Sequence, residues 1–240
     1  MNSNNNFWVN NIEVGYYDKI LKKSFDKNRG LQGSWHQSTF HSVSRYFEGS
    51  ENYLDYACGP GSLIGNYSKI KSIGYDVDEK QIVFASKNYS DNLKIFTSNK
   101  EDIIKNAPYD LISIVGLLEF LTIDESTELF DYIKTLAEDG SKIILTTPNY
   151  NFVFNFILAI SRLLKLNDYR EVTISKYNKK KLVSLIEKNF KNFKIYEINN
   201  IGLFFSIFNS NIGLKLENFF RKVFNGKFGF LFLIEINIKK

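Results

Sequence analysis

Cysteine, histidine, proline and long apolar runs are all scarce in this chain, and each scarcity excludes something. Cys58 is the one cysteine in 240 residues. No disulfide can form within the chain, which suits a reducing compartment. The two histidines, His36 and His41, have no acid cluster beside them, so no metal site is expected. Three prolines argue against a disordered, proline-rich chain. The polar start, Met1 to Asn6, lacks the basic-then-apolar order of a signal peptide. The longest apolar stretch, Phe152 to Ile160, is interrupted by Asn155 and is half the ~20 residues a spanning helix needs. A cytoplasmic protein without a transmembrane segment is expected.

What is present is ordinary for a globular protein: 44% hydrophobic and 24% charged residues, with 22 Phe and 14 Tyr. The length fits one domain over 1–240, with enough chain to bury a core. Charge is uneven. The first 150 residues carry 15 Lys/Arg and 20 Asp/Glu, whereas the last 90 carry 16 and 6. Such asymmetry marks either a solubilising face or a surface for anionic partners.

Two helical segments, Tyr16–Phe25 and His36–Phe47, precede a repeated strand–turn–helix pattern. Strands are predicted at 53–57, 71–76, 93–97, 109–115, 142–147, 193–198 and 230–238. Helices are predicted at 62–69, 79–88, 123–137, 151–166, 178–189 and 214–223. Asp78 is placed to cap the second of these helices and Asp124 the third. Gly140 suits a left-handed C-cap after the third. This alternation implies an α/β fold: a doubly wound, mostly parallel sheet with helices on both faces. No internal repeat or second domain is visible.

The first strand runs into Leu54-Asp55-Tyr56-Ala57-Cys58-Gly59-Pro60-Gly61. In a doubly wound sheet, ligands bind at the carboxyl ends of the strands, near the switch in strand order. Gly59 and Gly61 let backbone approach a ligand without Cβ clashes. A dinucleotide is disfavoured on three counts. The third glycine comes at Gly65, one position too late for G-x-G-x-x-G. Pro60 removes an N–H that a pyrophosphate would use. Asp55 sets a carboxylate near two phosphate charges. S-adenosylmethionine carries an ammonium and a sulfonium and no phosphate, so it tolerates that acid.

The turn resembles the first motif of class I S-adenosylmethionine-dependent methyltransferases, commonly L-D-x-G-C-G-x-G. Ala57 stands where that pattern has glycine, a substitution expected to cost little at negative φ. The resemblance spans roughly residues 30–200. It implies a Rossmann-like, seven-stranded sheet with an antiparallel last strand, under an N-terminal helical lid (1–50). A cofactor-binding core (51–150) and an acceptor side (151–240) would follow.

By this resemblance the cofactor is S-adenosylmethionine, held by Asp55, Ala57, Gly59, Gly61, Asp76, Val77, Asn99 and Val115. Asp76, in Gly74-Tyr75-Asp76-Val77-Asp78, would accept the ribose hydroxyls. Asn99, in Ser98-Asn99-Lys100, would accept the adenine amino group. The segment Asp110 to Phe120 resembles the fourth-strand motif, and Asp139 to Tyr150 the fifth. In many relatives a histidine follows the glutamate of the fourth-strand motif; here it is Phe120. Neither the N/D/S-P-P-aromatic signature of nucleic-acid amino methylation nor a Pro-Cys nucleophile is present.

The acceptor side is less defined. Trp35-His36 resembles a pair on the lid helix of similar proteins, which makes His36 the candidate catalytic base or substrate-binding residue. Thr173 stands where relatives often carry a second histidine. The apolar stretch 152–160, with Arg162 and Lys165, could lie on an anionic membrane and admit a lipid-linked acceptor; core packing or a dimer interface is the alternative. The expected acceptor is a small molecule, a saccharide or lipid-linked hydroxyl. RNA methylation and a non-catalytic binding protein are the other readings.

Overall fold

The computed structural model describes residues 13–151, 154–155 and 173–239. The apolar segment 152–160, Arg162, Lys165 and the rest of the helix expected over 151–166 therefore lie largely outside the described residues.

Two helices open the chain, α1 (Tyr16–Lys27) and α2 (Leu31–Ser44). Then follow β1 (Asn52–Tyr56), α3 (Ser62–Tyr67), β2 (Lys71–Tyr75), α4 (Glu79–Tyr89), β3 (Lys94–Thr97), α5 (Lys100–Lys105) and β4 (Tyr109–Val115). The chain continues with α6 (Ile123–Leu136), β5 (Ala137–Pro148), α7 (Lys179–Asn189), β6 (Phe193–Ile198), α8 (Ser210–Val223) and β7 (Leu231–Asn237). Short 3₁₀ turns lie at Leu118–Phe120 and Ile201–Ile207.

The seven strands form one sheet in the order β3-β2-β1-β4-β5-β7-β6. Pairings from β3 to β5 are parallel, and β7 runs antiparallel to both β5 and β6. The expected Rossmann-like architecture is the one observed. The strand order reverses between β1 and β4, and the carboxyl ends at such a switch point are where doubly wound sheets bind ligands.

Alternation along the strands builds the core. Leu54, Ile112, Ile143 and Ile234 point to one face, against Phe130 and Ile133 of α6 and Leu185 of α7. Their neighbours Tyr53, Leu111, Ile144 and Leu233 point to the other, against Val43 of α2, Leu63 of α3 and Ala85 of α4. Burial on both faces explains why β4 reads as a continuous apolar run. Each fully buried aliphatic side chain contributes about 1.5–3 kcal/mol.

Two local expectations are corrected. The α6 cap is Thr122, not Asp124. The Thr122 side chain accepts from the Glu125 N–H, and the Glu125 carboxylate accepts from the Thr122 N–H at 2.8 Å. The turn expected at 138–140 is instead a bulge within β5. Ala137 already pairs with Tyr109, and the register resumes at Leu111 and Lys142. The Ser141 hydroxyl donates to the Tyr109 carbonyl and accepts from the Glu138 N–H, both at 2.8 Å, which holds the bulge closed. Gly140 serves this bulge at φ +86°.

Candidate cofactor cleft and acceptor side

The chain leaves β1 through a turn of positive-φ residues: Ala57 (+66°), Gly59 (+52°) and Gly61 (+74°). Gly61 is forced to be glycine twice. Its φ is left-handed, and a Cβ would stand 2.6 Å from Phe96 and 2.8 Å from the Ala85 Cβ. Gly59 differs: a Cβ there would meet nothing within 4 Å. The turn therefore packs its second glycine on the protein and opens its first toward free space. Ala57 corrects the sequence reading. Its φ is positive, so the missing glycine leaves a left-handed alanine, which costs about 1–2 kcal/mol.

Asp76 ties this turn to the end of β2. Its Oδ2 accepts from the Gly59 N–H at 2.8 Å, and its Oδ1 accepts from the Asp78 N–H at 2.9 Å. Each oxygen keeps a further lone pair for a ligand hydroxyl. Burial raises the Asp76 carboxyl above its ordinary value, while these backbone donors hold it down. Asp78 caps α4 as expected, accepting from the Lys80 N–H. Val77, between the two acids, is 61% exposed, an apolar side chain presented at the strand end. Val115 ends β4 in a half-buried position. Gly59, Asp76, Val77 and Val115 thus gather on the carboxyl ends of β1, β2 and β4, at the switch in strand order.

Asp55 lies deeper than a ligand-facing acid would. It is 2% exposed and accepts a short hydrogen bond from the Ser113 hydroxyl, which also meets the Tyr53 hydroxyl at 2.6 Å. Burial pushes its carboxyl up to about 7. Its charge at neutral pH is therefore partial, and the argument against a pyrophosphate passes to Asp76 and Pro60. Asn99 caps α5, with its side-chain oxygen accepting from the Glu101 N–H at 3.0 Å. That oxygen is committed to the helix, and one lone pair is left for an adenine amino group.

Helix α1 docks on the turn itself. Asp18 of α1, 1% exposed, accepts from the hydroxyl of Ser62, the first residue of α3, at 2.9 Å. It also accepts from the Tyr89 hydroxyl and pairs with Lys22 at 2.9 Å. Sequence reading missed Asp18, because a single acid in a polar stretch of helix carries no signal. On α2, Trp35 stacks on Phe154, which stacks on Phe230. The His36 ring meets Tyr17 and Phe40, and desolvation lowers it to about 4. At neutral pH it is a neutral imidazole, better suited to hydrogen bonding than to removing a proton. His41 lies elsewhere, on a cavity of about 590 Å³ also lined by Arg45, Tyr67, Glu217 and Arg221 and by none of the turn residues.

Glu119 is the second residue whose importance the sequence did not reveal. It was visible only as the acid within the fourth-strand motif. Its carboxylate is 6% exposed beside the ends of β4 and β5 and accepts from the Thr147 hydroxyl at 3.1 Å. Its Oε1 lies 3.7 Å from where a Cβ on Gly116 would stand. Its backbone carbonyl receives the Ile174 and Ser175 N–H groups at 2.9 and 3.0 Å. Burial pushes the carboxyl up to about 7. Thr173, at the position of the missing second histidine, bonds the Tyr150 side chain. No group of acids, histidines and cysteine able to hold a metal occurs among the described residues, and no helix among them is long and apolar enough to cross a membrane.

No family model and no curated protein matches the chain. Solved structures do. A SAM-dependent methyltransferase from Archaeoglobus fulgidus matches at 18% identity and TM-score 0.55, over 83% of this chain and 93% of that one. Magnesium protoporphyrin IX methyltransferase from Synechocystis PCC 6803, with SAH bound, matches at 13% and 0.56, over 99% and 93%. A small RNA methyltransferase matches at 17% and 0.60, over 85% of this chain and 25% of its own. At these identities the likeness is one of fold: the chain has the class I methyltransferase fold.

Proposed function

We propose that the chain is an S-adenosylmethionine-dependent methyltransferase, a single domain over 1–240, acting on a small-molecule hydroxyl of a saccharide or lipid-linked intermediate. One observation carries the reading. Asp76 bridges to Gly59 at 2.8 Å, beside an open glycine turn and the exposed Val77. That combination fits an adenosine: two hydroxyls for the carboxylate, an apolar surface for the base, and no phosphate to repel. Structural neighbours crystallised with SAM or SAH support the same cofactor.

S-adenosylmethionine, when bound, supplies a methyl carbon already activated toward displacement. The protein's task is then alignment and proton handling. Alignment of this kind is worth about 7–11 kcal/mol. Gly59, Gly61, Ala57 and Val115 shape the cradle, Asp76 holds the ribose, and Asn99 stands at the adenine end. Asp55 braces β1 against β4 through Ser113. Glu119, held by Thr147, would accept the proton that the acceptor hydroxyl gives up, and its position near neutrality suits that work. His36 orients the acceptor from the lid as a neutral hydrogen-bonding group. The single cysteine agrees with a cytoplasmic enzyme.

The RNA reading has one observation behind it, the basic last 90 residues together with the fold shared with a small RNA methyltransferase. Calorimetric titration with S-adenosylmethionine tests the donor side. We expect binding by the wild type and a severe loss in Asp76→Ala; no binding, or equal binding by both, overturns the proposal. Incubation with methyl-labelled cofactor and fractionated extract then tests the acceptor. Label in saccharide or lipid fractions supports the reading, and label confined to RNA replaces it.

A further inference from the structure

Helix α8 is folded inside out. A surface helix of a globular protein normally buries its apolar stripe and exposes its polar one. Here the buried residues of α8 are Ser210, Gly213 and Glu217. The Ser210 hydroxyl accepts from the Ser34 hydroxyl at 2.9 Å, and the Glu217 carboxylate accepts from the Asn199 N–H at 3.3 Å. Gly213 is pressed against Ser206 of the 3₁₀ turn, where a Cβ would stand 1.9 Å from the Ser206 oxygen. The opposite face carries Ile212, Phe219 and Val223, 52%, 57% and 54% exposed. Spaced seven and four apart, these three share one stripe. Phe220, beside it on the helix, leads past the helix end to Phe224 and Phe228, the three rings touching in sequence at 6.0 and 5.5 Å. The 3₁₀ turn adds to the exposed apolar surface, presenting Phe205 and Ile207, 47% and 53% exposed, while it buries Gly202, Leu203 and Ser206.

Charge decides what covers this face. Residues 201–228 contain Lys215, Arg221, Lys222 and Lys227 against one acid, Glu217. That acid is 3% exposed and lies 3.9 Å from the Arg221 Nε. Lys215 and Lys222, three and ten residues beyond Ile212, fall together along one edge of the apolar stripe. A second copy docked through this same face would bring the same lysines against each other, and the segment 201–228 has no exposed acid to answer them. An anionic lipid surface answers both features at once, with headgroups for the lysines and acyl chains for the phenylalanines. Exposed apolar patches rimmed by charge have this use.

We propose that α8 and the Phe224–Phe228 turn form a docking face for an anionic membrane surface. The segment starts at the carboxyl end of β6, which runs parallel to β1, β4 and β5. Docking therefore brings the membrane to the same end of the sheet as the cofactor turn. A lipid-linked acceptor would gain from that placement, a consequence that rests on the methyltransferase reading. The docking itself does not.

Sedimentation of the full chain with vesicles tests this. The protein is expected to pellet with phosphatidylglycerol–phosphatidylcholine vesicles and at least about tenfold less with phosphatidylcholine alone. The double variants Phe219→Ser/Phe224→Ser and Lys215→Glu/Lys222→Glu should each weaken anionic-vesicle binding by at least about tenfold at an unchanged melting temperature. Equal pelleting with both vesicle types, or none with the anionic ones, overturns the proposal. So does a lowered melting temperature in both variants, which assigns the face to folding. Sedimentation velocity showing a dimer that Phe219→Ser dissociates also overturns it and assigns the face to self-association. S-adenosylmethionine binding measured in the same variants stays at the wild-type value if only docking is lost.

Discussion

The Gly59 N–H donates to the Asp76 carboxylate across 2.8 Å, joining the turn after β1 to the end of β2. The same carboxylate both shapes the glycine turn and, in our reading, holds the cofactor ribose. Asp76→Asn separates these roles poorly by design. Its amide NH₂ would face a backbone donor where the carboxylate accepted. Hydrogen bonds to a charged group are worth about 1.5–3 kcal/mol. Asp76→Asn is therefore expected to lose about 10- to 100-fold in S-adenosylmethionine affinity, read by calorimetry. It should also lose about 1–3 kcal/mol of stability, read by denaturant unfolding.

Ala57 stores strain that glycine would release. Its φ is +66°, where a Cβ costs about 1–2 kcal/mol, and glycine returns part of that gain as unfolded-state entropy. Ala57→Gly should stabilise the protein by about 0.5–1 kcal/mol and raise its melting temperature by a few degrees. A drop in stability would show that the alanine methyl packs favourably enough to outweigh its backbone cost.

Asp18 pins the lid to the cofactor turn through Ser62 and Tyr89. Asp18→Ala leaves the buried Ser62 hydroxyl without its acceptor, takes the acceptor from the half-buried Tyr89 hydroxyl, to which the Asn66 amide still donates, and frees α1. A loss of about 2–3 kcal/mol is expected, with faster proteolytic cleavage within residues 16–27. Weaker cofactor binding should accompany it. Protease resistance equal to wild type would mean that α1 is held by its other contacts.

Asp55 and Glu119 make stability depend on pH in an unusual direction. Burial raises both, from 3.8 and 4.5 to about 7. Between those values the folded state binds more protons than the unfolded chain. Stability is therefore fullest in mild acid and falls as pH rises from about 4 through 7, by up to about 1.4 kcal/mol per pH unit for each group. Glu119→Gln should flatten half of this slope in urea melts taken across that range. In our reading it also removes the acid limb of the methylation pH–rate profile and lowers kcat more than KM.

Much of the fold was legible because its signals are local. The apolar runs at 53–57 and 109–115, the Asp78 cap before α4 and the glycines after β1 each act within a few residues. Strand boundaries at 193–198 agree to the residue. The clustering of Asp76, Val77, Gly59 and Val115 followed once the strands were ordered, since all four end strands or follow them directly.

Sequence alone determined that this chain forms a doubly wound sheet with an open glycine turn and an acid at the next strand end. Period-two alternation, φ-permissive glycines and short caps leave little freedom there. Only the tertiary structure decided which acids are buried, and burial, unlike local conformation, is set by residues distant in the chain. Ser113 draws Asp55 inward from 58 positions away. Thr147 and the ends of two strands enclose Glu119, and Ser62 captures Asp18. The same reason turned α8 inside out. A helix was expected at 214–223, but which face meets solvent was chosen by Ser34 and Asn199, which bond Ser210 and Glu217, and by Ser206, against which Gly213 packs with no room for a side chain.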